Sequence, residues 1–125
     1  MMLRYFHADE FKCKCSTNNG DSCGMDISLE LKALIDNARD MAGIPFKITS
    51  GARCEAYNKS IGASKTSSHT KGLAVDIKAS TSHNRYVIMD ALKEVGIDRI
   101  GINFDRGFIH CDISKDKPSK VLFGY

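Results

Sequence analysis

Between Ser50 and Lys71 the chain is rich in Gly, Ser, Asn and Thr and carries no apolar periodicity. A long irregular segment inside a compact domain is uncommon and is often functional. It divides the chain into two stretches that must supply the regular elements around it. Upstream, Ser28 is positioned as an N-cap, with Glu30 in the first turn to favour the helix dipole. Leu31, Leu34, Ile35, Ala38 and Met41 follow at helical spacing, and Gly43 then Pro45 end the helix. Phe46-Lys47-Ile48-Thr49 alternates and predicts a short strand. Downstream, a strand is predicted over Gly72–Ile77, with Leu73, Val75 and Ile77 on one side and Ala74 and Asp76 on the other.

A second helix is predicted from Ser82 to Val95, burying Val87, Ile88, Ala91, Leu92 and Val95, with Gly96 as its stop. Arg99–Phe104 and Phe108–Ile113 are strand-like runs around Asp105-Arg106-Gly107, a hairpin signal in which Gly107 can take a positive φ. The order helix, strand, loop, strand, helix, hairpin predicts an α+β fold: a small antiparallel sheet with helices packed on it. At 125 residues the chain fits one domain, 1–125, with a single hydrophobic core.

Composition excludes several classes. An apolar fraction of 42% with 26% charged residues suits a soluble globular domain and excludes a disordered or fibrous chain. The net charge is only +3 and the basic residues form no run of five, so no nucleic-acid partner is expected. No apolar stretch approaches the ~18 residues of a membrane span. The opening, Met1 to Glu10, turns acidic where a secretory leader needs its apolar region. Synthesis in the cytoplasm without a signal peptide is therefore expected.

Cys13, Cys15, Cys23, Cys54 and Cys111 are an odd number of cysteines, for which free thiols are the default. Cys13, Cys15 and Cys23 are also candidates for three ligands of a structural metal, with Cys54 reaching in from elsewhere in the fold. A disulfide is the remaining alternative. The segment Cys13–Gly24 reads as a loop.

His69, Asp76 and His110 carry the chemistry. His69 ends the polar segment, and Asp76 lies on the polar side of an otherwise apolar strand. The pleat puts Phe108, His110 and Asp112 opposite Ile109, Cys111 and Ile113. Two strands can then present Asp76 and His110 to one point, with His69 joining from the loop. Two histidines and a carboxylate make an open zinc site, three protein ligands with a fourth position left for water or substrate. On the residues alone, a hydrogen-bonded polar His110 is the commoner case, and Asp76 can instead be held by backbone amides or by Arg53.

Ser67-Ser68-His69-Thr70-Lys71-Gly72-Leu73-Ala74-Val75-Asp76 resembles the S-x-H-x-x-G-x-A-x-D signature of the M15 metallopeptidases. These are the zinc D-Ala-D-Ala carboxypeptidases and their relatives, which include phage endolysins and the Hedgehog signalling domain. Ile48 to Cys54 is similar to the family's T-S-G-x-R segment, with Tyr57-Asn58 following, and Phe108 to Asp112 is similar to its F-x-H-x-D strand. Phe6 to Cys13 resembles the start of the carboxypeptidase-like branch. The likeness implies zinc held by His69, Asp76 and His110, and Arg53 steadying the oxyanion of a tetrahedral intermediate. It leaves Ser67 either to bind substrate or to shape the loop.

The general base departs from the pattern. Several relatives carry Glu or His two or three residues before the last ligand, where Phe108 and Gly107 stand here. Asp112 is the expected proton acceptor or an orienting partner of a ligand, and Asp105 in the hairpin turn is its competitor. The resemblance implies an enzyme cleaving a peptidoglycan stem peptide, at the D-Ala-D-Ala end or at an internal bond, and a monomer is expected. It would act at the cell wall, in phage release or on a virion. The rival expectations are a zinc-binding interaction module without catalysis, and a structural phage or surface protein that keeps the fold.

Overall fold

The computed structural model describes residues 3–16 and 19–125. Met1 and Met2 of the opening, and Thr17 and Asn18 of the Cys13–Gly24 loop, lie outside the described residues. The first helix, α1, is Leu29–Ala42. The Ser28 side chain accepts the N–H of Leu31, and Gly43 closes the helix at φ 69°. Leu31, Ile35 and Ala38 fall on one face of α1 and are fully buried. Asp36 is buried among them because Arg4 Nε, at 3.0 Å, and the N–H of Tyr5, at 3.1 Å, satisfy its two oxygens. That pair ties the N-terminal segment to the helix.

Strand β1, Ile48–Ser50, is followed by a short helix α2, Glu55–Ser60, and a 3-10 turn, Ser68–Lys71. The polar segment from Ser50 to Lys71 is thus more regular than its composition predicts. A helix of this length buries only Asn58, too little to leave an apolar period in the sequence. Strand β2, Ala74–Lys78, starts two residues later than predicted. Gly72 stands outside it at φ 70°, where a Cβ would lie 2.9 Å from the Asp26 carbonyl oxygen. Glycine is needed there both for the left-handed turn and for the close approach.

Helix α3, Ser82–Glu94, packs against α1. The hairpin β3, Arg99–Asn103, and β4, Phe108–Asp112, matches the sequence reading, with Gly107 at φ 69°. A further strand, β5, Val121–Gly124, was not predicted. The sheet runs in the order β1-β2-β4-β3-β5. All pairs are antiparallel except β3 with β5, which is parallel, so the sheet of this α+β domain is mixed. Its parallel edge comes from the chain crossing back after β4 to lie beside β3.

The β2–β4 register pairs Val75 with Cys111 and Asp76 with His110. Alternation then sorts the sheet. Val75, Ile77, Ile109 and Cys111, all at 0% exposure, join the helix residues Leu31, Ile35, Ile88 and Leu92 in one core. The polar members of the same strands are left for the other face. No helix among the described residues is long and apolar enough to cross a membrane.

Burial of this kind sets the expected mutational pattern. Leu92→Ala removes a fully buried side chain and is expected to lower stability by about 2–5 kcal/mol. Tyr86→Ala, on the exposed side of the same helix, is expected to change it by less than about 0.5 kcal/mol. Urea unfolding midpoints measure both, and equal effects would show that α3 packs through a different face.

Candidate metal centre

His69 sits in the 3-10 turn, which Ser67 caps by accepting the His69 N–H at 3.3 Å. Two bonds clamp this turn to the segment after β1. His69 Nδ1 meets the Gly51 carbonyl oxygen at 2.7 Å, and the Arg53 N–H donates to the His69 carbonyl at 3.0 Å. Gly51 cannot be replaced without movement, because a Cβ there would fall 2.3 Å from the Phe11 carbonyl oxygen. Asp76 comes from β2 and His110 from the directly paired position of β4.

Asp76 Oδ1 lies 3.2 Å from His69 Nε2 and 3.0 Å from His110 Nδ1. The other nitrogen of each ring is committed outward. His69 Nδ1 faces a carbonyl, which can only accept, and His110 Nε2 faces Asp112 Oδ2 at 2.7 Å. In a neutral ring His69 Nδ1 is therefore the donor and its Nε2 turns a lone pair towards Asp76, and a neutral His110 that donates to Asp112 does the same through Nδ1. Three electron-rich atoms meet at one point. Only a cation or added protons reconcile them.

The three side chains are buried, and one ligand atom from each lies within 4.8 Å of the others. Tetrahedral zinc with bonds of ~2.0–2.1 Å separates its ligand atoms by about 3.3 Å, close to the spacings of Asp76 to the two rings. The outward partners fix ring orientation and tautomer, as metal-ligating histidines require. The residues fit a zinc ion in chemistry, spacing and support.

Asp112 is itself buried and held on both oxygens. Oδ2 accepts from Arg99 Nε at 3.1 Å as well as from His110, and Oδ1 accepts the Ser114 N–H at 3.2 Å. Burial alone would raise its pKa, but the hydrogen bond and charge of His110, then the Ser114 amide and Arg99, outweigh burial and hold it below the ordinary carboxylate value. For Asp76, burial is likewise outweighed by hydrogen bonds from His110 and His69, leaving it at about 2. Burial pulls His110 down, but its bonds to Asp112 and Asp76 win and raise it above its ordinary 6.5.

An open cleft of about 1000 Å³ lies over these donors. Ser67 and Asp112 line it as well, whereas Asp105 is on the exposed hairpin turn and does not. Arg53 reaches the cleft from a buried position, and its Nη1 donates to Asn58 Oδ1 at 3.2 Å. Burial lowers its pKa, the Asp76 charge only partly offsetting this. Arg53 Nε is the one buried side-chain nitrogen or oxygen left without a partner among the described residues.

Some residues of the site were absent from the sequence reading. Arg99 braces Asp112 and stacks its guanidinium 5.1 Å over Phe123. Phe123 in turn lies 5.8 Å from the His110 ring, and Tyr125 packs on Phe108 at 5.3 Å. Gly101 was the available signal for this lid of aromatics. A glycine inside a strand marks a close approach, and a Cβ at Gly101 would stand 2.3 Å from the Phe123 ring.

Fold and donor set together define a candidate mononuclear metal centre at the mouth of a small α+β domain. The family model for peptidase M15 matches residues 4–112, and the chain belongs to that family of metallopeptidases. No curated protein matches the chain.

Titration of Asp76 and His110 gives a signed expectation. The lowered Asp76 contributes stability that is present above its ordinary 3.8 and is lost as pH falls towards about 2. The raised His110 contributes stability that is full below 6.5 and is lost as pH rises through its elevated value. In metal-stripped protein Asp76 and His110 thus favour the fold most between 3.8 and 6.5. Zinc must displace the His110 proton, so its affinity should climb with pH across the neutral range. Calorimetry in two buffers of different ionisation enthalpy should detect proton release near pH 6.5. Affinity independent of pH would contradict the arrangement.

Proposed function

We propose that the chain is a zinc-dependent peptidase that hydrolyses an amide bond in peptidoglycan stem peptides, in cell-wall degradation or remodelling. The observation that carries this reading is the buried Arg53, with its Nε unpartnered, opening onto the cleft above three convergent metal donors. Zinc, when held by His69, Asp76 and His110, supplies Lewis acidity towards a carbonyl and acidifies water towards neutral pH. The chain's own groups do the rest. Gly51 and Asp112 keep the two rings aimed inward, and Ser67 holds the turn that carries His69. Arg53, fixed by burial and by Asn58, offers a cation to the oxygen on which charge develops.

The cleft supports a substrate with a free carboxylate. Lys47, Arg53, Lys78, Arg106 and Lys117 line it, against the carboxylates Asp76 and Asp112. An anionic peptide end is attracted to such a surface, which favours cleavage at the D-Ala-D-Ala terminus over an internal bond. On this reading the enzyme acts at the cell wall, in phage release or on a virion. Asp112, braced by Arg99 and depressed in pKa, is better suited to orient His110 than to take up a proton. A second reading draws on the same cleft: among the described residues Asp76 and Asp112 are the only acidic side chains lining it, and both are already engaged. A zinc-binding module that has lost catalysis fits that shortage.

Digestion of purified peptidoglycan, with the fragments read by mass spectrometry, separates the two. Release of terminal D-Ala that stops on chelation is the expected result, and zinc-loaded protein that releases nothing would favour the module. Arg53→Lys keeps the charge but loses the guanidinium geometry, and should lower turnover by about 10²-fold while zinc remains bound. Asp112→Asn should weaken zinc binding by about 10–100-fold together with activity. Full zinc affinity with turnover reduced by 10² or more would instead make Asp112 the base.

A further inference from the structure

We propose a second metal site, a structural zinc held by the four thiolates of Cys13, Cys15, Cys23 and Cys54, remote in sequence from the first. The Sγ atoms of these four residues all lie within 4.8 Å of one another. A tetrahedral zinc with bonds of ~2.3 Å spaces its sulfurs by about 3.8 Å, so small side-chain adjustments close the set around one ion. Cys13 and Cys15 are buried, Cys54 is half-buried and Cys23 is exposed.

Burial disfavours a thiolate at Cys13, and backbone amides oppose that cost. Backbone amides point at three of the four sulfurs: Cys54 N–H to Cys13 Sγ at 3.3 Å, Cys23 N–H to Cys15 Sγ at 3.2 Å, and Tyr57 N–H to Cys54 Sγ at 3.4 Å. A thiol is a weak acceptor and gains little from such donors, whereas a metal-bound thiolate carries charge that they spread. Charge and protons balance simply. Four thiols lose four protons and one Zn²⁺ is taken up, leaving a centre of net charge −2. An all-sulfur tetrahedral set selects zinc or iron over the harder cations, and a closed set of four suits a structural ion.

The site also lies where the fold needs a fastening. Three stretches without long regular elements meet there, joined by the Cys13 N–H to the Met25 carbonyl at 2.8 Å and the Ala52 N–H to the Phe11 carbonyl at 2.9 Å. The stretch ending at Cys54 includes Gly51, which orients His69, and Arg53, which faces the cleft. Zinc on the cysteines would hold both in place without touching substrate. The proposal does not depend on the peptidase reading, since it concerns different ligands and a different readout.

The test uses the full chain, purified reduced from zinc-supplemented cells. Native mass spectrometry is expected to show about two zinc ions per chain, and about one in a His69→Ala/His110→Ala variant. X-ray absorption on that variant should give only sulfur neighbours, at about 2.3 Å. Cobalt in place of zinc should add the intense near-ultraviolet absorption of thiolate-to-metal charge transfer. Cys13→Ser and Cys54→Ser should each remove one zinc and leave the His69 site loaded. Should these variants fail to fold, metal count and cobalt spectrum of the wild-type chain still decide. One zinc with no sulfur neighbours, or a mass lower by the four hydrogens of two disulfides, would overturn the proposal. Iron in the site despite zinc supplementation would overturn the choice of ion.

Discussion

The antiparallel pairing of β2 with β4 places Val75 opposite Cys111 and Asp76 opposite His110, and both faces of the domain follow from that register. On one face the apolar residues of these strands meet α1 and α3 and form the core. On the other, a carboxylate and an imidazole are brought side by side at 3.0 Å. A slip of one residue would turn His110 into the core and Cys111 into the cleft, because side chains alternate with a period of two. Core and candidate metal centre are therefore specified by the same hydrogen-bond ladder. The hydrophobic burial that stabilises the fold also holds the donors together against their mutual repulsion.

Beyond this pairing the site is a chain of polar contacts, each satisfied by the next. Arg99 faces Asp112, Asp112 faces His110, and His110 and His69 share Asp76. Such a network is sensitive to the loss of any one member. Removing a partner leaves a buried charge uncompensated, which costs about 3–5 kcal/mol in comparable settings. The aromatic cover of Phe123 and Tyr125 adds to this by keeping apolar surface beside His110. The position of Arg53 belongs to the same logic, since its own backbone N–H is bonded to His69.

Much of this was readable from residues alone, and the exceptions have physical causes. Alternation in Phe108 to Asp112 correctly assigned Cys111 to the core and His110 to the other face, because a half-buried strand writes its pleat into its sequence. The hairpin was equally clear, since Gly107 supplies a conformation few residues adopt. β5 was missed because Val121 to Gly124 is short and half-exposed, and its pairing with β3 depends on a distant partner. The role of Gly51 was missed for a related reason: a backbone carbonyl that orients an imidazole leaves no side-chain signature. Asp105 attracted notice by its place in the chain, yet the turn carries it out to solvent. Charge patterning also hid the cleft, since Lys47, Arg53, Lys78 and Lys117 are scattered in sequence and converge only in the fold.

The central claim is that one metal is shared by His69 Nε2, Asp76 Oδ1 and His110 Nδ1, with Asp112 and Gly51 holding the opposite ring nitrogens. Anomalous diffraction at the zinc edge, from crystals of the chain grown with zinc, tests it most directly. The expected result is a peak within about 2.0–2.2 Å of those three atoms, with the Asp112–His110 and Gly51–His69 contacts intact. A zinc peak bonded to His110 through Nε2, or no peak between β2, β4 and the 3-10 turn, would contradict it.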